Sequence, residues 1–286
     1  LKRLGERNFK KYISTLDNKK IVEDIINNSK NTHYDNDFFS KYKSPKYILK
    51  YTLNIDLDSS IISDNINDSE EVVSTPTINN KLPIVYIYNT HETEKYADTE
   101  LENYNIIPDV KIASYILENY LEDLGISTIV EQESVTDILR KNNWAYKRSY
   151  EASKELASNT ISNNSSLKLI IDLHRDSSKL EKTLLEHKDN KYARVLFVIG
   201  AEYDNYEINY SLANKINTNL EELIPGISRG IIKKSGLGVN GVYNQDFSNY
   251  TILIEIGGYE NTMTEVMNTS IAFSKCYLEV LDEENS

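Results

Sequence analysis

The chain of 286 residues has a single cysteine, Cys276, so no disulfide can form within it. Cys276 falls in an amphipathic stretch, Ile271 to Leu278, and reads as a small core residue rather than a nucleophile. Glycine (10) and proline (5) are scarce, and no apolar run approaches the length of a membrane-spanning helix. Lys and Arg total 32 against 44 Asp and Glu, a formal net charge of -12. That balance excludes a general nucleic-acid binder, which shows a basic stripe, and electrostatic docking on anionic lipid. There is no G-x-S-x-G elbow for a serine nucleophile, no phosphate loop and no dinucleotide fingerprint; Gly236-Leu237-Gly238 is too short to be either glycine motif. Histidine is also rare, with only His33, His91, His174 and His187.

A hydrophobic fraction of 40% and a charged fraction of 27% are those of an ordinary globular protein. A chain of this length buries a large core without help, so any metal serves chemistry rather than folding. The first residue is Leu1 rather than Met, so we expect a signal peptide or membrane anchor to lie upstream of this sequence.

Residues 4–29 carry Phe9, Ile13, Leu16, Ile21, Ile25 and Ile26 at helical spacing, which predicts a small, mainly helical N-terminal region. Between Asp56 and Asn80 there is no Lys or Arg, and Asp58, Asp64, Asp68, Glu70 and Glu71 sit among Ser, Asn and Thr. This reads as an exposed linker. It divides an N-terminal region with its linker, residues 1–80, from a main domain, residues 81–286. In that domain, apolar runs at 84–88, 126–130, 167–173, 194–199 and 250–256 predict strands. Amphipathic stretches at 109–124, 135–161, 206–223 and 262–281 predict helices between and after them. The alternation predicts an α/β fold with a mostly parallel central sheet flanked by helices.

In such a sheet, ligands bind beyond the carboxyl ends of the strands. Three of the predicted strands run into ionisable residues: one into His91, Glu92 and Glu94, one into His174, Arg175 and Asp176, and one into Glu255. A lone histidine is most often structural, but two of only four at strand ends point to a shared site. His33 and His187 lie in polar surroundings and read as solvated. Two His and one Glu, with a fourth position left for water, is a known catalytic zinc set. His91, Glu94 and His174 supply it, with Glu92, Glu100 and Glu102 as competitors for the carboxylate role. Glu255 follows the apolar run Ile252-Leu253-Ile254, and a buried carboxylate there needs a metal, a metal-held water or a basic partner such as Arg175. Asp172 and Asp176 with Glu255 would make a glycosidase pair, but that leaves the histidines unexplained.

Thr90-His91-Glu92-Thr93-Glu94-Lys95-Tyr96 resembles the T-H-x-x-E-x-Y motif of the stage II sporulation protein P family, and Asp172-Leu173-His174-Arg175-Asp176 resembles its D-x-H-R-D motif. Tyr243-Asn244-Gln245-Asp246-Phe247, then Leu253 to Gly258 and Glu260-Asn261-Thr262, is similar to its C-terminal signature. These motifs span roughly residues 83–278; the segment before Pro83 carries none. The resemblance implies a fold related to the zinc-dependent N-acetylmuramoyl-L-alanine amidases and of the phosphorylase/hydrolase type. It implies Zn2+ on His91, Glu94 and His174, Glu255 as general base, and Asn244, Gln245 and Asn261 at the substrate. From its position, Arg175 is expected to stabilise an oxyanion. Asn89 stands where the family usually has His and is not expected to be a ligand. The implied activity is cleavage of the amide between the muramic lactyl group and L-Ala of peptidoglycan, and of peptide cross-links. It is implied during spore engulfment, at the outer face of the mother-cell membrane, beside stage II sporulation proteins D and M. A catalytically weak peptidoglycan-binding scaffold is the alternative.

Overall fold

The computed structural model describes residues 82–97 and 107–284. The expected N-terminal helical region and acidic linker, and the competitors Glu100 and Glu102, lie outside these residues. The described residues belong to the unit Pro76–Ser286.

Strands β1 (Val85–Tyr88), β2 (Thr128–Val130), β3 (Leu169–Asp176), β6 (Val195–Gly200), β7 (Ser228–Lys234) and β8 (Thr251–Gly258) form one sheet in the order β2-β1-β3-β8-β6-β7. Its neighbours run parallel except β6 and β8, which are antiparallel. Every residue of β1 and β6 is buried, as a sheet covered on both faces requires, and their sequences are accordingly almost wholly apolar. Helices α1 (Val110–Asp123), α2 (Val135–Lys141), α3 (Ser149–Asn163), α4 (Leu180–Thr183), α5 (Tyr206–Leu223) and α6 (Met263–Glu284) surround it. A small hairpin, β4 (Leu184–His187) with β5 (Asn190–Ala193), packs against α6. The α/β class and the mostly parallel sheet match the sequence expectation.

The pleat decides which residues share a face. Tyr88 pairs with Asp172, His174 with Glu255, and Glu255 with Leu196, so Tyr86, Tyr88, Ile170, Asp172, His174, Leu253, Glu255, Leu196 and Val198 point one way. Helix α3 covers the first part of that face, where Ala157 packs with Tyr86, Tyr88, Leu167 and Ile170. The cluster of His174 and Glu255 lies past it, toward the carboxyl ends of β3 and β8.

Four features differ from the sequence reading. The single helix expected over 135–161 is broken. Asn143 takes a left-handed φ of 55°, and the Trp144 amide closes back onto Leu139 O at 2.7 Å. The chain then passes through a 3-10 turn, Tyr146–Arg148, before α3 begins. Strand β7 and the β4–β5 hairpin were not expected, because polar residues dominate both. Strand β3 runs on to Asp176, which places His174 inside the strand rather than after it.

Candidate metal centre

His91 leaves β1 in a tight turn in which the Glu94 amide donates to His91 O at 3.0 Å. This turn brings Glu94 back over the strand ends, as the three-residue spacing predicts. Its carboxylate Oε2 accepts the Arg175 amide at 3.0 Å, which ties the turn to β3. His91 Nδ1 lies 3.6 Å from Glu94 Oε1, and His174 Nδ1 lies 3.4 Å from Glu94 Oε2. The two imidazoles meet edge to face with centroids 5.1 Å apart. One donor atom from each of His91, Glu94 and His174 falls within 4.8 Å of the others.

The far side of His174 is equally organised. Its Nε2 lies 2.9 Å from Asp172 Oδ1, a close charge contact rather than an aligned hydrogen bond. Asp172 is fully buried and held in place by the Thr90 amide at 2.9 Å and the Thr90 hydroxyl at 2.7 Å. Burial disfavours a charged His174 ring, but Asp172 and then Glu94 outweigh it and push its pKa up to about 10. Burial works against the Glu94 carboxylate as well, yet hydrogen bonds from His174 and His91 hold it far below the usual carboxylate range. A deprotonated acid between two imidazoles, one backed by a second acid, is an electrostatic cradle for a cation. Two imidazole nitrogens, one carboxylate oxygen and a carboxylate behind one histidine fit zinc by donor chemistry.

Glu255 stands beside His174 across the β3–β8 pair. Its Oε2 is buried and has no hydrogen-bond partner among the described residues. Burial and then Asp176 push its pKa up to about 7, with His174 pulling the other way. A carboxylate that titrates near neutrality is suited to take and return a proton. The ion pair with Arg175, open from sequence, is not what forms. Arg175 instead donates through Nε to Lys95 O at 2.9 Å and through Nη1 to Asp176 O at 3.3 Å. Asp176 is paired with Arg229, a residue that sequence reading missed.

Other expected residues take internal positions. Asn244 Nδ2 donates to Tyr150 O at 2.9 Å and to Ser153 Oγ at 3.0 Å. Gln245 bridges β6, accepting from the Gly200 amide at 3.0 Å and donating to Val198 O at 2.7 Å. Asn261 accepts the Gly258 amide at 2.7 Å and donates to Glu265 at 2.8 Å. All three are buried, so they hold loops in place where the resemblance implied contact with substrate. Glu92 binds the start of α2 through the Ser134 hydroxyl and the Val135 and Thr136 amides, a favourable place for a negative charge, so it is no competitor for the metal. Asn89 is buried, donating to Leu173 O at 2.7 Å. An aromatic wall flanks His91: Tyr146 stacks on its ring at 5.2 Å and Tyr150 meets it edge-on at 5.6 Å. Neither tyrosine stood out in the sequence, where nothing marks them among 21.

Among solved structures, the fold is similar to the CwlD amidase from Clostridioides difficile in complex with the GerS lipoprotein. That match has a TM-score of 0.44 and 14% identity and covers 70% of this chain and 98% of that one. It is also similar to Cwp6 from Clostridium difficile, with a TM-score of 0.42 and 15% identity over 69% of this chain and 29% of that one. The chain is 33% identical over 204 residues to stage II sporulation protein P of Bacillus subtilis (strain 168), covering 69% of this chain and 51% of that protein. It thus spans about half the length of that relative. The description of stage II sporulation protein P (SpoIIP) matches residues 7–277, beginning well before Pro83, where the quoted motifs start. The chain therefore belongs to the stage II sporulation protein P family.

Proposed function

We propose that this chain is a zinc-dependent peptidoglycan hydrolase that cleaves the amide between the N-acetylmuramoyl lactyl group and L-Ala of the stem peptide. The observation that carries this reading is the convergence of His91, Glu94 and His174 within 4.8 Å, with the unpartnered Glu255 beside them. Bound zinc supplies a Lewis acid that polarises a carbonyl and makes water more acidic. The protein's own groups supply the rest. Glu255 Oε2 accepts the proton of the attacking water and returns it to the leaving amine, the task its raised pKa suits. Asp172 fixes the His174 ring, and Glu94 is set by the Arg175 amide. The Arg175 guanidinium has donors left after its bonds to Lys95 and Asp176, and we assign them to the developing oxyanion. We place this activity in spore engulfment, at the outer face of the mother-cell membrane and beside stage II sporulation proteins D and M, a setting that membership of a sporulation protein family supports.

Zinc per chain and digestion of purified sacculi test the reading together. Wild type should hold one zinc and release peptide from glycan. His91→Ala and His174→Ala should each lose most of both. Full metal and activity in both variants would move the site elsewhere. Peptidoglycan binding by a zinc-loaded wild type that releases no fragments would make the chain a scaffold. Mass analysis of the fragments separates amide cleavage from cutting of peptide cross-links.

A further inference from the structure

The tyrosines beside His91 continue into a surface that runs away from the metal centre. Tyr146 stacks on His91, Tyr150 meets the same ring edge-on, and Tyr150 in turn meets Tyr243 edge-on at 5.4 Å. Tyr146 is 55% exposed on its short 3-10 turn, and Tyr150 and Tyr243 are half-buried. Tyr146 is the reachable end of this row, and Tyr150 and Tyr243 keep part of their surface open to it.

The backbone shows that this wall is held deliberately. Tyr243 and Asn244 are consecutive non-glycine residues with φ of 54° and 56°, a conformation that L residues rarely adopt even singly. Such strain persists only where the surroundings over-determine it, and it gathers at functional sites. Here the surroundings are explicit. Asn240 Oδ1 accepts the Tyr243 amide at 2.6 Å. Asn244 reaches α3 at Tyr150 O and Ser153 Oγ, and Gln245 reaches β6. The loop that carries Tyr243 is therefore tied to the helix that carries Tyr150. Tyr243 rests on Leu196, Val198 and Leu253.

The register gives the wall a direction. Leu253 lies two residues before Glu255 on β8, opposite Val198, and Tyr243 covers that end. Ser228, next to Arg229, pairs with Val195, which pairs with Ile256, so the Arg229–Asp176 ion pair lies past Glu255. One side of the site thus offers aromatic faces with phenol hydroxyls, and the other offers a charged pair. A hexose ring has apolar C–H faces rimmed by hydroxyls and matches the first. A stem peptide with its carboxylates and amides matches the second.

Resting on the hydrolase reading above, we propose that Tyr146, Tyr150 and Tyr243 form the subsite for the N-acetylated sugar on the acyl side of the scissile amide, with the peptide directed toward Arg229 and Asp176. The wall makes the enzyme selective for peptide still attached to glycan.

The test uses the full chain and two probes: a soluble disaccharide-tetrapeptide as substrate, and the peptide-free N-acetylglucosaminyl-N-acetylmuramic acid disaccharide as ligand. The disaccharide should bind wild type, seen by calorimetry, and inhibit hydrolysis competitively. Tyr146→Leu and Tyr243→Leu should each raise KM about tenfold, the scale of one lost aromatic contact, with kcat reduced no more than about threefold and zinc content retained. Tyr146→Phe and Tyr243→Phe should recover affinity relative to the Leu variants. A disaccharide that does not bind an active wild type would overturn the proposal. So would Leu variants that lose zinc or kcat with KM unchanged, because Tyr146 would then only support His91. If wild type cuts nothing yet binds the disaccharide in a tyrosine-dependent way, the subsite stands and the hydrolase reading falls.

Discussion

Glu255 carries the sharpest expectation at the scale of single residues. Glu255→Gln keeps the shape and hydrogen-bonding capacity of the side chain but cannot accept a proton. The variant should fold, keep its zinc and hydrolyse peptidoglycan about 10²–10⁴-fold more slowly. Zinc loss on the same substitution would make Glu255 a ligand, and near-normal hydrolysis with zinc retained would leave it outside the reaction. Glu255 was legible in the sequence because an acid inside an apolar strand conflicts with its surroundings, and such conflicts mark function. His91, Glu94 and His174 were legible from strand-end placement and spacing. Arg229, Tyr146 and Tyr243 were not, because nothing local distinguishes an arginine on an edge strand or a tyrosine on a turn or loop. Their importance is set by neighbours far away in the chain, such as Asp176 for Arg229 and Tyr150 for Tyr243.

Among the elements, α1 shows how a local signal can be right while its energetics run the other way. Asp109 caps the helix by accepting the Lys111 and Ile112 amides at 3.1 Å, as its position before the first apolar turn predicts. Burial nevertheless outweighs those bonds and pushes its pKa up to about 6, against an ordinary 3.8. The folded state therefore holds the proton more tightly than the unfolded state does. Its contribution to stability is fully present below pH 3.8 and is lost as pH rises through about 6. Asp109→Asn keeps a competent cap without the charge. Relative to wild type, the variant should gain on the order of 1–2 kcal/mol between pH 4 and pH 7.5, read from urea unfolding at both values. An unchanged difference across that range would show that Asp109 holds its proton no more tightly in the fold than in the unfolded chain. The elements that were misread have separate physical causes. An edge strand such as β7 needs few apolar residues, and its Gly230 at φ 86° accompanies a register shift against β6, so alternation fails there. The break between α2 and α3 rests on Asn143, whose tolerance of a left-handed φ of 55° competes with an otherwise helical pattern.

At the scale of the whole molecule, the open matter is how much of the chain the chemistry needs. All six strands of the sheet and each residue assigned to the metal, to proton transfer and to the aromatic wall lie in Pro76–Ser286. The Lys- and Arg-free stretch from Asp56 to Asn80 has the composition of a linker, yet the family match begins at residue 7. Because the family match takes in residues before Lys81, we expect that segment to serve recognition rather than the chemical step. We expect a fragment beginning at Lys81 to fold cooperatively, bind one zinc and cleave sacculi with a kcat within about threefold of the full chain, since the residues that set the barrier are unchanged. Its KM for intact sacculi should be higher if residues 1–80 add contacts to peptidoglycan or to a partner, whereas its KM for the small disaccharide-tetrapeptide should match the full chain. Comparing the two substrates therefore separates loss of recognition from loss of the active site. A fragment that is insoluble, or that loses zinc while the full chain keeps it, would show that the N-terminal residues complete the core and that the boundary at residue 80 is misplaced.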